Sequence, residues 1–192
     1  MKKYLVLFLV FVTVSAFAQQ TKSVSWSLAL QNVKTGDMVP FSAPVRSWNG
    51  EQFRLIVNPG AGCYCYVIYE SPSGDDIAVL YSGAMKPGEQ WFSPVMELTA
   101  PRGSESLFVV VSREEQKVLA QRISALSSAT TATQRRALMN EIFRVRSEAS
   151  KFKEEPEKPV LMGGASRGAP DKAQGVEYSG LDIYVKTISI EH

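Results

Sequence analysis

The sequence has 192 residues, with 21 Lys and Arg, 19 Asp and Glu, and a single His. This length suits one domain of ordinary size that can build a real hydrophobic core. A chain so close to charge neutrality is a poor nucleic-acid binder, because that binding depends on clustered Lys and Arg that neutralise phosphates.

The first 18 residues have the pattern of a secretory signal peptide. Lys2 and Lys3 precede the almost wholly apolar stretch 4–17, and the small-x-small cleavage site Ala16–Ala18 ends it. This apolar stretch is shorter than the roughly 20 residues that a membrane-spanning helix needs. We therefore predict cleavage before Gln19 and a periplasmic or secreted protein that has no integral membrane span afterwards. The mature chain would carry equal numbers of basic and acidic residues.

From residue 22 to residue 112, short alternating segments are separated by turns rich in Gly, Pro and Asp. In "KSVSWSLALQ", Val24, Trp26 and Leu28 fall on one face, which is the period of a half-buried strand. The stretch "NPGAG" is strong turn chemistry. Pro94 within "WFSPVMEL" indicates an edge or bulge position. Short strands punctuated by turns predict a β-sandwich rather than βαβ units.

The spacing of apolar residues becomes helical after Ser112. The motif "SREE" can form a capping box, in which Ser112 caps the helix and Glu115 reaches back. Apolar stripes then predict two helices at about 113–126 and 132–152, joined by a short polar loop. We expect this helical insertion, residues 113–152, to pack against itself or against a sheet face.

The last part of the chain combines a loop with a final strand. Residues 153–175 are rich in Pro, Gly and charge, which predicts a linker or mobile loop. The segment "LDIYVKTISI" (181–190) alternates and is β-branched, so it predicts a strand. Because a lone strand is unstable, we expect it to return to the sheets of residues 22–112. Residues 19–192 would then form a single domain.

The patterns that would indicate catalysis or metal binding are weak. The single histidine, His192, is the last residue of the sequence, where chain ends fray and an oriented base is not expected. Asp75 and Asp76 lie in a turn that explains them without a metal. "GGASRG" (163–168) lacks the ending of a phosphate loop. We therefore predict no enzyme activity, no catalytic residue, no cofactor and no metal.

Cys63 and Cys65 are the only cysteines, and they lie one residue apart in "GCYCYVIYE". In an extended strand their Cα atoms would be about 6.5–7 Å apart, at the upper limit for a disulfide. Two thiolates are too few for zinc, which takes four donors. This favours two unpaired thiols that face the core. The alternatives are a strained or intermolecular disulfide, and metal or redox chemistry.

Aromatic side chains concentrate in the predicted strands, and arginines in the second predicted helix. Such aromatics are typical of a sandwich core, but on a sheet face they could also bind a sugar or a peptide. The arginines are interspersed with glutamates, so a solvated helix face is favoured over contact with an acidic partner or phosphate. The candidate residues for ligand or partner binding are Tyr64, Tyr66, Trp91, Arg135 and Arg136.

Residues 51–112 resemble a bacterial family of unknown function. The resemblance lies in "FRLIVNPGAGCYCYVIYESPSGDDIAVLY", where strands and turns follow in order, and continues in "KPGEQWFSP" and "APRGSESLFVVVSREE". It implies an immunoglobulin-like β-sandwich used as a non-catalytic module, secreted alone or appended to peptidase-like or kinase domains. The family has no recognised set of catalytic residues, so the resemblance carries none over to this chain.

The fold predicted from all these features is mainly β. It is an immunoglobulin-like antiparallel β-sandwich with an inserted two-helix hairpin before the last strand. The predicted function is that of a non-catalytic, exported binding or interaction module of the bacterial cell envelope, which engages another envelope protein. The alternatives are a small-ligand or glycan binder that uses strand aromatics and, last, a hydrolytic or redox enzyme.

Overall fold

The computed structural model describes residues 24–126, 130–149, 158–161, 174–180 and 182–192. The predicted signal peptide, residues 1–18, lies outside the described residues, as does most of the predicted loop 153–175. Among the described residues, neither helix has the length and the apolar composition that crossing a membrane requires.

The strands form two sheets. In spatial order, the first sheet consists of β10 (Lys158–Leu161), β11 (Gln174–Gly180), β1 (Val24–Asn32), β4 (Gln52–Pro59) and β7 (Trp91–Phe92), with β2 (Met38–Val39) beside β1 and β8 (Met96–Glu97) beside β4. The second sheet consists of β3 (Val45–Arg46), β12 (Ile183–Glu191), β9 (Ser104–Ser112), β5 (Cys63–Glu70) and β6 (Ile77–Met85). The prediction of a mainly β fold is confirmed.

The main hydrophobic core lies between the two sheets. Alternate residues of β1, β4, β5 and β9 point into it, because successive side chains of a strand lie on opposite faces. Trp26 of β1 is almost fully buried there, with its ring 5.8 Å from the Tyr178 ring and 4.9 Å from the Tyr184 ring. The alternation predicted for "KSVSWSLALQ" therefore places Trp26 in the core.

A second apolar cluster lies on the outer face of the second sheet, beneath helices α1 (Lys117–Ser124) and α2 (Ala132–Ala149). Strands β5 and β9 are apolar on both faces, because one face meets the first sheet and the other meets the helices. The cluster is formed by Tyr66, Ile68, Phe108 and Val110 of the sheet and by Leu119, Leu138, Ile142 and Val145 of the helices. The helical insertion therefore packs against a sheet face, as expected.

The last strand closes the second sheet. Strand β12 pairs antiparallel with β9 from Ile183 to Glu191, and parallel with β3 at Ile190 and Glu191. The prediction that the final strand returns to the sheets of residues 22–112 is confirmed. The two helices lie in the chain between β9 and β12, so they precede the last strand as predicted.

The capping box predicted at "SREE" is wrong. Ser112 is the last residue of β9, where it pairs with Tyr64 and Ile183 of the neighbouring strands, so it cannot cap a helix. Helix α1 begins only at Lys117, and the residue before it, Gln116, makes no side-chain capping bond. The Gln116 N–H instead donates to the Tyr66 hydroxyl at 3.0 Å. Tertiary pairing thus overrides the local capping pattern.

A reciprocal capping box is present at the start of α2. The Gln134 N–H donates to the Thr131 hydroxyl at 3.2 Å, and the Thr131 N–H donates to the Gln134 side-chain carbonyl at 2.9 Å. Two N–H groups that the first helical turn would leave without partners are satisfied in this way. The polar loop before α2 therefore carries the signal that starts the helix.

Two further segments differ from the prediction. Residues 158–161, inside the predicted loop, form strand β10, which pairs with β11 and accommodates Pro159 because it lies at the sheet edge. The segment "WFSPVMEL" is not one strand but the two short strands β7 and β8. Pro94 lies between them, and the Ser93 hydroxyl accepts the Leu55 N–H at 2.9 Å in place of a regular ladder bond.

The cap of α2 predicts a specific loss of stability. Thr131→Ala removes the hydroxyl that accepts the Gln134 N–H, so we expect the free energy of unfolding to fall by about 1 kcal/mol. Thr133→Ala, at an exposed position of the first turn, is the matched control and should change it by less than about 0.5 kcal/mol. Urea denaturation of both variants measures the difference, and equal effects would contradict this assignment of the cap.

Candidate functional site

One end of the sandwich brings together the loop 47–50, the turn between β5 and β6, the turn before β9 and the end of β12. The N–H and C=O groups of Gly103 and His192 pair with each other at 3.0 and 3.1 Å. Gly103 also lies against Pro72, since a Cβ atom at position 103 would lie 2.5 Å from the Pro72 Cβ. Only glycine allows this approach, which fixes the turn before β9 against its neighbour.

The loop that carries Trp48 is held by backbone hydrogen bonds at both of its ends. The Ser47 N–H donates to the Glu191 carbonyl at 2.8 Å, and the Gly50 N–H donates to the Leu98 carbonyl at 2.7 Å. Gly50 has φ +84°, a left-handed conformation that glycine adopts without strain. The Trp48 side chain is nevertheless 76% exposed. The loop therefore presents a large aromatic side chain on a constrained backbone.

An open depression of about 320 Å³ lies beside this loop. It is lined by Arg46, Ser47, Trp48 and Glu191, which we call the Trp48 surface, and by His192, whose exposed atoms belong to the main chain. Arg46 Nε lies 3.9 Å from Glu191 Oε2, and the two side chains are 90% and 48% exposed. An exposed ion pair at this distance contributes little, so both charges remain accessible to a partner. The surface thus combines one aromatic ring with one cation and one anion.

A buried polar cluster lies beneath the Trp48 surface. His192 Nδ1 is 2.6 Å from Asn49 Oδ1, and Nε2 on the other side of the ring is 3.3 Å from Glu105 Oε1. The Nε2–Glu105 contact has the distance of an ion pair but lacks the alignment of a hydrogen bond. The His192 side chain is 0% exposed. The expectation that this residue frays is therefore wrong, because both its backbone and its ring are held.

Burial changes the acid–base properties of this cluster. It raises the pKa of Glu105, while the charge of the nearby His192 ring and a hydrogen bond from Tyr69 lower that pKa in part. Burial and the nearby Glu105 carboxylate, which accepts a hydrogen bond from Tyr69, raise the pKa of Tyr69 to about 12. The Tyr69 hydroxyl therefore stays protonated and supports the carboxylate from the strand next to β9.

The predicted aromatic candidates do not meet at one open site. Tyr66 is 1% exposed, and Tyr64 lies half-buried on the same face of β5, so both pack in the cluster beneath the helices. Trp91 lies on β7 of the other sheet, with its ring 5.2 Å from the Tyr81 ring. A binding role for these three residues stays a prediction, and the structure places them apart from one another.

The two predicted arginines lie near the start of α2. Arg135 donates to the Thr130 carbonyl at 3.1 Å and reaches Asp75 at 4.0 Å, whereas Arg136 is exposed. Further along the helix, Arg144 is already bound by two carboxylates, at 2.6 Å each. Partner binding by Arg135 and Arg136 also stays a prediction.

The residues of the Trp48 surface escaped the sequence-based prediction. The motif "RSWNG" carries a signal, since an aromatic residue flanked by polar turn formers has no strand or helix to bury it. Glu105 gave no such signal, because a single carboxylate in a strand is ordinary. His192 gave no signal either, because the last residue of a sequence is expected to fray. The cluster is found only when residues far apart in the sequence are brought together by folding.

The two cysteines lie in the core between the sheets as free, buried thiols, which confirms the favoured interpretation. Burial raises the pKa of Cys63 to about 11. The pKa of Cys65 is raised further, by deeper burial and by the neighbouring Cys63. Among the residues that the structure describes, no three His, Cys, Asp or Glu side chains are grouped so that they could hold a metal ion.

No protein-family model, curated protein or solved structure matches the chain. The resemblance of residues 51–112 to a bacterial family of unknown function therefore stays a prediction.

The burial of the thiols predicts their reactivity. Because the thiolate is the nucleophile, a thiol with a pKa near 11 should be alkylated roughly a hundredfold more slowly in the native state than in urea at pH 8. Cys65 should be slower than Cys63. Mass spectrometry after timed iodoacetamide treatment measures both rates. Fast labelling of the native protein would contradict the assignment of buried free thiols. A mass without reductant that is two hydrogens below that of the dithiol would contradict it too.

Proposed function

We propose that this chain is an exported, non-catalytic binding module of the bacterial cell envelope, which recognises another envelope protein through the Trp48 surface. The observation that carries this proposal is the 76% exposure of Trp48 on a loop that backbone hydrogen bonds hold at both ends. Export rests on the signal-peptide pattern of residues 1–18.

The chemistry of the Trp48 surface supports a protein partner. Trp and Arg are the residue types that most often carry the binding energy of protein interfaces. Burying an exposed Trp ring against a partner removes a large apolar area from water. A loop already fixed in the free protein loses little conformational entropy on binding, which leaves more of that energy for affinity. Arg46 and Glu191 on either side can add charge complementarity.

The order of the strands supports an immunoglobulin-like sandwich as the scaffold. Strands β1, β4 and β8 follow the order A, B, E of one immunoglobulin sheet, and β12, β9, β5 and β6 follow G, F, C, C′ of the other. This scaffold clusters its loops at the two ends, where such domains recognise partners. The chain departs from antibody domains in having both cysteines on β5 rather than one in each sheet.

Two features of the buried groups favour binding over catalysis. The His192 ring is fully buried, so in this conformation it cannot contact a substrate in the depression. The raised pKa values of Cys63 and Cys65 keep both thiols protonated, and a thiol is a poor nucleophile. Neither an accessible imidazole base nor a thiolate nucleophile is therefore available among these groups.

A small polar ligand is the second candidate. The depression of about 320 Å³ is at the lower end of the usual size of small-molecule sites, and it offers an aromatic face with a cation and an anion beside it. We favour the protein partner because the depression is open, whereas small-molecule sites enclose most of their ligand.

The proposal predicts that Trp48 carries much of the binding energy. The mature chain serves as bait for envelope extract, and each enriched protein is then purified and titrated against the wild type and two variants. Trp48→Ala should weaken binding at least roughly 30-fold, which corresponds to about 2 kcal/mol. Phe92→Ala, which removes another exposed aromatic side chain, is the matched control and should bind like the wild type. Both variants should keep the wild-type Tm.

Equal binding by the Trp48 variant would overturn the assignment of the surface. If no protein is captured, while a defined sugar or lipid raises the Tm of the wild type but not of Trp48→Ala, the small-ligand alternative replaces the protein partner. If the sugar or lipid raises the Tm of the wild type and of Trp48→Ala equally, the Trp48 surface is excluded as the binding site for either class of partner.

A further inference from the structure

The buried pair formed by His192 and Glu105 lies beneath the Trp48 surface and has no part in the function proposed above. Its two side chains come from adjacent strands, at the end of β12 and the start of β9, and both are almost completely shielded from water. Asn49, which follows Trp48 in the chain, contacts the far side of the same imidazole ring. The ring therefore connects the recognition loop to a buried carboxylate.

The positions of the partners restrict where the protons lie. Asn49 Oδ1 is a carbonyl oxygen that can only accept, so at 2.6 Å His192 Nδ1 must carry a hydrogen and donate it. Nε2 then faces Glu105 Oε1 at 3.3 Å. A bare Nε2 lone pair beside an ionised carboxylate would be repulsive at this buried position. One additional proton between the two groups removes the repulsion, whichever group carries it.

The charged surroundings of the pair come from four elements. Tyr69 of β5 donates to Glu105, and Asp76 in the turn after β5 acts electrostatically on Tyr69. Arg46 of β3 and Glu191 of β12 line the depression above and lie close to each other. These two exposed charges are opposite in sign, and Asp76 is exposed. Of these groups, the His192 ring is the one that lies within ion-pair distance of Glu105.

We propose that His192 and Glu105 share one proton and act, through Asn49, as a positioning pair that holds the Trp48 surface in its binding arrangement. When the pair loses this proton, the neutral ring keeps a single hydrogen. Glu105 draws that hydrogen to Nε2, and the Nδ1 donor to Asn49 is lost. The recognition loop is then tied only by its backbone bonds. The regulatory role rests on the proposed function, whereas the proton sharing does not.

The raised pKa of Glu105 agrees in sign with this arrangement. A carboxyl whose pKa is raised in the folded state binds its proton more tightly when folded than when unfolded. Its contribution to stability is complete below the ordinary pKa of Glu and is lost as the pH rises through the folded value. The pair should therefore hold the loop better at lower pH.

The first test follows the ring itself. His192 is the single histidine of the sequence, so its ring nitrogens give unambiguous signals in protein labelled with ¹⁵N-histidine. We expect Nδ1 to be protonated at the acidic end of a pH titration and the hydrogen to move to Nε2 after the pair deprotonates. A ring that carries its hydrogen on Nδ1 throughout, or whose signals match those of free histidine at every pH, would overturn the proposal.

The second test follows the loop. Hydrogen exchange of the Ser47 and Gly50 amides, corrected for intrinsic rates, reports how firmly the loop is held. In the wild type we expect protection to fall about tenfold across the pH range in which the ring signals change. In Glu105→Gln the side-chain amide can donate to Nε2 and accept from Tyr69 without titrating, so protection should stay high at every pH.

The control is Glu115→Gln, at an exposed carboxylate after β9, which should follow the wild-type profile. Amide protection that stays constant across the pH range in the wild type would contradict the proposal; it is the result expected if the Asn49 amide rotates and keeps its contact with the ring. A pH dependence in Glu105→Gln that equals that of the wild type would also contradict it. Both tests use the free protein. Their failure is therefore distinguishable from a failure of the binding experiment with Trp48→Ala.

Discussion

Strands β5 and β9 are buried on both of their faces, and the rest of the structure follows from that constraint. Both faces are apolar and must be buried. The inner faces pack against the first sheet, and the outer faces pack against the two helices. Within the second sheet the two strands also need neighbours, which are β6 beside β5 and β12 beside β9. The cysteines lie in the core because they occupy the inner face of β5.

The candidate site is built from the ends of these same strands. Tyr69 lies near the end of β5 and Glu105 near the start of β9, where the core gives way to the loops at one end of the sandwich. A rigid pair of strands can hold a buried carboxylate against an imidazole with little freedom to relax. At the same end, the loop that exposes Trp48 is held by backbone hydrogen bonds to Glu191 and Leu98.

The strands with strong alternation could be predicted from the sequence, and so could the faces of β5, because the period of two is a local property. The start of α1 could not, because strands pairing from both sides keep Ser112 extended. The candidate site could not be predicted from the sequence either. Asn49 and His192 are separated by 143 positions, and neither has a neighbour in the sequence that indicates the other. Periodicity finds elements, but only the closed fold brings these polar groups together.

The parallel pairing of β3 with β12 has a consequence for the order of folding. Residues 45 and 46 find their partners only after Ile190 and Glu191 have been synthesised. Strand β9 can pair with β5 earlier, but it gains its second neighbour only with the same last strand. Contacts of such long range form slowly, because a large loop must close first. An N-terminal fragment cannot complete the second sheet. The second sheet therefore closes only when β12 is present, so its contacts of longest range form late.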